Sequence, residues 1–212
     1  MNRLVIVGAG GFGRELLDVL RDADPNGEVW QFAGFVANDT PPPGLLDRID
    51  ATWLGSDEEF LARPSADHFV IGIGDPGVRS RVAGLYEGAG LVTATLVHPT
   101  ASIGRDVELG AGTVLCAQSS VTTNVRIGRH VHVDRVTTVG HDCVIEDFVT
   151  MHPSVVVSGN VRIGTRARLG TTSCILPNLT LGSDVSVGAG AVVTRSVPDG
   201  QTVVGVPARP LG

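Results

Sequence analysis

From Val97 onward the aliphatic positions follow a six-residue period: Val97, Ile103, Leu109, Leu115, Val121, Ile127, Val133, Val139, Ile145, Met151, Val157, Ile163, Leu169, Ile175, Leu181, Val187 and Val193. Four residues after each comes a side chain that is mostly small or β-branched, from Ala101 and Val107 to Ala191 and Val197, so the period runs to the end without an insertion. A helix needs a 3.6-residue period and is excluded. Short strands joined by corners, each burying one aliphatic side chain, stack instead into a parallel β-helix whose backbone bonds run between coils. With three hexads to a coil, residues i and i+18 share a column, and residues 97–198 make five to six coils. Glycine follows the aliphatic residue at 104, 110, 128, 140, 164, 170, 182 and 188, as expected where the chain turns a tight corner.

Before Val97 the pattern changes. Leu4–Val7 reads as a strand, Gly8-Ala-Gly-Gly-Phe-Gly13 as a turn, and Arg14–Arg21 as a helix. Further strands fit Val29–Val36 and His68–Ile73, with a helical segment over Asp75–Glu87. This is a half-size Rossmann-like α/β unit. The expected organisation is therefore a domain over 1–96 and a second over 97–212.

Composition supports the division. Eight of the nine aromatic residues precede residue 87, leaving Phe148 alone in the repeat, whose interior is too narrow for rings. Residues 1–96 hold seven Arg and fourteen acids (7 − 14 = −7); residues 97–212 hold nine Arg and eight acids (9 − 8 = +1). No basic face points to nucleic acid. Lysine is absent, which excludes a lysine Schiff base. Cys116, Cys143 and Cys174 have no close pairing and suggest reduced thiols in a cytoplasm. No apolar run approaches the ~18 residues that span a bilayer, so no membrane partner is expected.

Gly8-x-Gly10-x-x-Gly13 after a strand fits the approach of backbone amides and a helix N-terminus to phosphate. One bound nucleotide diphosphate, a purely structural turn and a dinucleotide all remain open, although about 96 residues are few for two mononucleotide halves. Gly74 ends the third strand, and Asn38 and Asp39 end the second, where a ribose or base contact is sensible; ordinary loop roles stay open for all three. His98 and His152 lie three coils apart, about 14 Å, and cannot share a metal, and no Cys/His ligand spacing occurs elsewhere. His130 and His132 read as solvated or interface residues. His141, beside Asp142 and two before the inward Cys143, is either a base with an adjacent carboxylate or a surface histidine on a corner.

The [Ile/Leu/Val]-Gly-x-x-[small]-x array resembles the hexapeptide-repeat, left-handed β-helix acyltransferases. Together with Val-Gly-Ala-Gly-Gly-Phe-Gly-Arg-Glu near the start, Val97-His-Pro-Thr-Ala, His141-Asp-Cys-Val-Ile, Ser158-Gly-Asn-Val and Gly205-Val-Pro-Ala208, nearly the whole chain resembles the sialic acid O-acetyltransferase-like (NeuD/PglD-type) sugar acetyltransferases. The resemblance implies an α/β N-terminal Rossmann-like half domain followed by a left-handed parallel β-helix. It implies a homotrimer that moves acetyl from acetyl-CoA to the amine of a nucleotide-linked amino sugar of the perosamine or bacillosamine kind, for bacterial surface glycans. Carried over by motif, His141 accepts the proton and Asp142 tunes it. Gly10, Gly11, Phe12 and Gly74 contact the nucleotide sugar, and Gly159, Thr171 and Ala189 lie on the coenzyme A groove. Thr150 stands where the family often has a histidine touching acetyl-CoA. The acidic pair of the UDP-sugar enzymes is replaced around Ala37-Asn38, so GDP is as credible a nucleotide as UDP. A sugar O-acetyltransferase and a non-catalytic nucleotide-sugar binder are the alternatives; a zinc hydratase lacks its three histidines.

Overall fold

The computed structural model describes residues 1–211. The chain forms two compact units, one of residues 1–74 and 78–96, the other of residues 75–77 and 97 onward.

The first unit is built on a four-stranded sheet, β1 (Asn2–Val7), β2 (Trp30–Val36), β3 (His68–Ile71) and β4 (Val92–Thr93), in the order β2-β1-β3-β4. All neighbours run parallel, with Leu4 opposite His68 and Asn2 opposite Trp30. Leu4, Val5, Ile6, Phe35, Phe69 and Val70 are fully buried, the continuous apolar run expected of parallel strands covered on both faces. Three helices accompany the sheet: α1 (Gly11–Ala23), α2 (Asp57–Ala62) and α3 (Pro76–Gly88). The sequence reading missed α2, yet Ser56-x-x-Glu59 announces it. Ser56 Oγ accepts from the Glu59 amide at 3.2 Å and Glu59 Oε2 from the Ser56 amide at 2.8 Å, a reciprocal cap.

In the second unit, two- and three-residue strands stack into three parallel faces. Register is i to i+18, as in Thr138 opposite Val156 and Val133 opposite Met151. The result is a left-handed β-helix of about six coils, filled by the expected aliphatic column from Leu115 to Val193. At the first coil the column is open, and Ile103 is exposed. Of the small polar residues tolerated inside, Ser119 Oγ donates to Cys116 O at 2.8 Å and Thr137 Oγ1 to His152 O at 3.1 Å, while the buried Ser173 hydroxyl has no hydrogen-bond partner.

Three expectations are corrected. First, the corner residue in the left-handed region is the third after each aliphatic, and it is rarely glycine: Asp106, Gln118, Asn124, His130, Val136, Asp142 and Phe148 all have φ between 53° and 61°. The glycines following the aliphatics answer a different need, close approach between coils. A Cβ on Gly104 would lie 2.2 Å from Thr122 O, and one on Gly110 2.4 Å from the Gly128 carbonyl carbon. Second, the period breaks after Val193. Leu181 pairs with Val197 and Val187 with Val203, a spacing of sixteen, so the last coil is two residues short and Val197 takes an aliphatic place. Third, His130 and His132 are buried rather than solvated. His130 stacks on Phe148 one coil on, at a ring separation of 5.2 Å.

Candidate active site

Two concave regions and one side-chain pair make up the candidate site. The first region, a cavity of about 580 Å³ in the α/β unit, lies at the carboxyl ends of β1 and β2, bounded by Gly8, Ala9, Gly10, Arg14, the loop from Ala37 to Pro42, Asp57 and Ile73. Its floor is shaped by crossings that only glycine permits. A Cβ on Gly13 would lie 1.8 Å from Gly8 O, and one on Gly72 2.4 Å from the Gly13 Cα, so helix and strand meet backbone to backbone. At Gly10 and Gly11 a Cβ would meet nothing within 4 Å. Gly10 caps α1 without a side-chain bond, and no acid sits in the first turn. The positive pole of a thirteen-residue helix therefore faces open space, as an anion site requires.

Of the residues singled out from the sequence, Gly10, Asn38 and Asp39 line this cavity, while Gly11, Phe12 and Gly74 are not on its wall. Asn38 is engaged with Asp57: its amide nitrogen donates to Asp57 Oδ2 at 2.9 Å and its oxygen accepts from the Asp57 amide at 2.9 Å. The buried Tyr86 hydroxyl donates to the other oxygen, Asp57 Oδ1, at 2.7 Å, and burial followed by Asp57 pushes that phenol well above its ordinary pKa. The sequence reading missed Asp57 and Arg14 as wall residues; the Ser56–Glu59 capping motif, unread there, is the signal that could have placed Asp57 at a helix start.

The side-chain pair sits on one corner of the β-helix. His141 Nδ1 lies 2.6 Å from Asp142 Oδ2, and the two side chains are 63% and 48% exposed. Asp142 occupies the left-handed corner position with φ 59°, which an Asx side chain tolerates well. Asn124, one coil earlier, donates from Nδ2 to Asp142 Oδ1. The His141 bond and then the Asn124 bond hold the Asp142 carboxyl below its ordinary range. An ionised Asp142 fixes the proton of neutral His141 on Nδ1 and leaves Nε2 as its basic atom. Beneath the ring lies Gly159: a Cβ there would come within 2.5 Å of Nε2 and 2.6 Å of Cε1. Cys143 is turned inward and its thiol is pushed up by burial, unlike an acyl-carrying thiolate.

The second region is a groove of about 410 Å³ along the β-helix, with Thr171 and Ala189 beside His152, Arg168, Gly170, Gly188 and Thr202. Arg168 Nε donates to His152 Nε2 at 3.2 Å. The groove thus collects Thr171 and Ala189 but neither Gly159, which lies against His141, nor Thr150, which is buried in the strand next to Arg168. No group of three or more His, Cys, Asp or Glu able to hold a metal occurs among the described residues, and no helix among them is long and apolar enough to cross a membrane.

Residues 3–84 match the PglD N-terminal domain. Over the whole chain, the protein is 33% identical to GDP-perosamine N-acetyltransferase of Escherichia coli, covering 100% of this chain and 97% of the relative. The chain belongs to the NeuD/PglD-type sugar acetyltransferases. Solved structures agree. The fold superimposes with a TM-score of 0.91 and 28% identity on a histidine-to-asparagine variant of perosamine N-acetyltransferase from Caulobacter crescentus in complex with CoA and GDP-perosamine, covering 100% of this chain and 98% of that one. Against the acetyltransferase domain of PglB from Neisseria gonorrhoeae in complex with acetyl coenzyme A, the TM-score is 0.87 at 30% identity, with 99% of each chain covered. The protein is accordingly an acetyl-CoA-dependent sugar N-acetyltransferase.

Proposed function

We propose that this member of the family acetylates the amine of a nucleotide-linked amino-dideoxy sugar, of the GDP-perosamine or UDP-4-amino-sugar type, for bacterial surface glycan synthesis in the cytoplasm. The observation that carries the mechanism is the exposed His141 ring, held at Nδ1 by an ionised Asp142 and offering Nε2. The nucleotide diphosphate belongs in the cavity of the first unit, with its phosphates at the α1 amides around Gly10, Gly11 and Phe12. Asn38, Asp39 and Gly74 complete the substrate set. Acetyl-CoA belongs in the groove of Thr171 and Ala189, with Gly159 as a further contact, and a homotrimer brings a neighbouring β-helix to close that groove.

Transfer is direct, in a ternary complex. The amine lone pair attacks the thioester carbonyl, the N–C bond forms, and the C–S bond breaks as the tetrahedral intermediate collapses. The proton lost from nitrogen passes to His141 Nε2 and then to the departing coenzyme A thiolate, leaving amide and free thiol. Asp142 stabilises the imidazolium formed on the way without taking the proton.

The test is a panel of UDP-, GDP- and dTDP-amino sugars, with hydroxyl counterparts, followed by release of coenzyme A thiol. Stoichiometric thiol and acetamide from one nucleotide-linked amine are expected. Acetylation of the hydroxyl counterparts instead, or binding of every member without thiol release, would replace this reading with an O-acetyltransferase or a non-catalytic binder respectively.

A further inference from the structure

Corner residues one coil apart stand over one another along the β-helix, so Asn124, Asp142, Asn160 and Asn178 form one column, every member in the left-handed region. Two contacts in this column are side chain to side chain. Asn160 Nδ2 donates to Asn178 Oδ1 at 2.7 Å, a neutral pair that includes neither the His141 ring nor the Asp142 carboxylate. Asn124 Nδ2 donates to Asp142 Oδ1, the oxygen that His141 does not use. The direction is fixed by charge, since an ionised carboxylate only accepts and the Asn124 group facing it must be the NH₂.

We infer that Asn124 is a positioning residue for acetyl transfer, orienting the His141 imidazole through Asp142. The inference rests on the proposed base role of His141. A single hydrogen bond between two side chains as exposed as His141 and Asp142 is a weak constraint, because each loses rotamer freedom to make it and water competes for both. Asn124 supplies a second fixed point. With Oδ1 tied to the preceding coil, the carboxylate plane is set and Oδ2 can meet Nδ1 in one orientation only. The Asp142 amide, donating to Thr123 O at 3.2 Å, anchors the same corner from the backbone. Ring and carboxylate thus become one unit whose Nε2 direction is set by the coil before it.

The test compares Asn124→Gly and Asn124→Asp with Asn178→Gly and His141→Asn. Glycine accepts the left-handed corner without strain, so Asn124→Gly removes the amide and leaves the backbone intact. Asn124→Asp keeps size and corner preference but removes the donor at neutral pH. Both are expected to lower kcat about tenfold or more with either KM changed less than twofold, as ring misplacement does. Asn178→Gly, the same change at the corner two coils beyond Asp142, leaves its backbone bond to Gly159 in place and removes only the side-chain bond to Asn160, so it should keep the wild-type kcat. In an Asp142→Asn background Asn124→Gly should add no further loss. Wild-type kcat in Asn124→Gly, a loss fully additive with Asp142→Asn, or an equal loss in Asn178→Gly would each overturn the inference. If His141→Asn is inactive while Asn124→Gly is normal, only the positioning role fails. If His141→Asn is itself near normal, the base reading fails, and any kcat loss in Asn124→Gly then lies outside the His141 ring.

Discussion

Adding one methyl group at Gly159 separates the two roles open to that residue, support of His141 and contact with coenzyme A. The Cβ of an alanine there would stand 2.5 Å from His141 Nε2, 2.6 Å from Cε1 and 3.1 Å from Cδ2, where ordinary contact begins at 3.4 Å. The ring must therefore retreat by about 1 Å, because the atoms it meets belong to a side chain free to swing. Gly159 is not in the left-handed region, so alanine brings no backbone strain and the fold should survive. The retreat moves the basic nitrogen and loosens the 2.6 Å bond to Asp142. A 1 Å error in placing a reacting group costs about 10² in rate. Steady-state assays of Gly159→Ala should show kcat down roughly that much, with the acetyl-CoA KM within about threefold of wild type and the melting temperature nearly unchanged. A normal kcat with a large rise in acetyl-CoA KM would refute the reasoning and leave Gly159 with a coenzyme contact alone.

Other outcomes follow from the same geometry. Gly10 has φ −68° and ψ −174° and open space beyond its missing Cβ, so Gly10→Val should fold normally and raise the nucleotide-sugar KM by roughly tenfold or more while leaving that of acetyl-CoA unchanged; equal rises in both would refute a phosphate site there. Val136 is a β-branched residue at φ 60°, so Val136→Asn should raise stability by about 1 kcal/mol in urea unfolding, and a loss would contradict the strain argument. The Asp142 carboxyl is held below its ordinary 3.8 by His141 and then Asn124. Its contribution to stability is complete above the unfolded-state value and is lost as pH falls through the folded one. The stability gap between wild type and Asp142→Asn should therefore shrink as pH falls below about pH 4; a gap that widens there would be contrary.

The β-helix was legible because each inward aliphatic repeats at a fixed interval and a narrow core admits little else. The corner chemistry was not. A glycine after each aliphatic suits a tight turn and a close stacking contact equally, and only the inter-coil distances at Gly104 and Gly110 tell them apart. The short last coil was hidden because Val197 satisfies either frame, as the small position of one hexad or the aliphatic of the next. In the α/β unit, Gly10 was singled out through the glycine fingerprint after a strand and Asp39 through its place at a strand end, and both line the cavity. Asp57 was not, since its bonds to Asn38 and Tyr86 cross nineteen and twenty-nine residues of sequence. His141 and Asp142 are sequence neighbours, so their pairing was legible, while the choice of a proton-accepting role over a surface one came only with the family resemblance. Asn124 lies eighteen residues away, and only the conversion of the repeat length into side-chain stacking could have named it.

The central claim is that His141 Nε2 takes the proton from the attacking amine. The most direct measurement is the pH dependence of kcat/KM for the nucleotide-linked amino sugar in the wild type and in His141→Asn, whose amide fills much of the same space but cannot accept a proton to become a cation. The account predicts a wild-type acid limb reporting an imidazole, and in the variant a rate at least ~10²-fold lower with that limb absent. A variant that keeps nearly the full rate, or retains the same acid limb, would show that the amine arrives already neutral and that His141 only holds it in place.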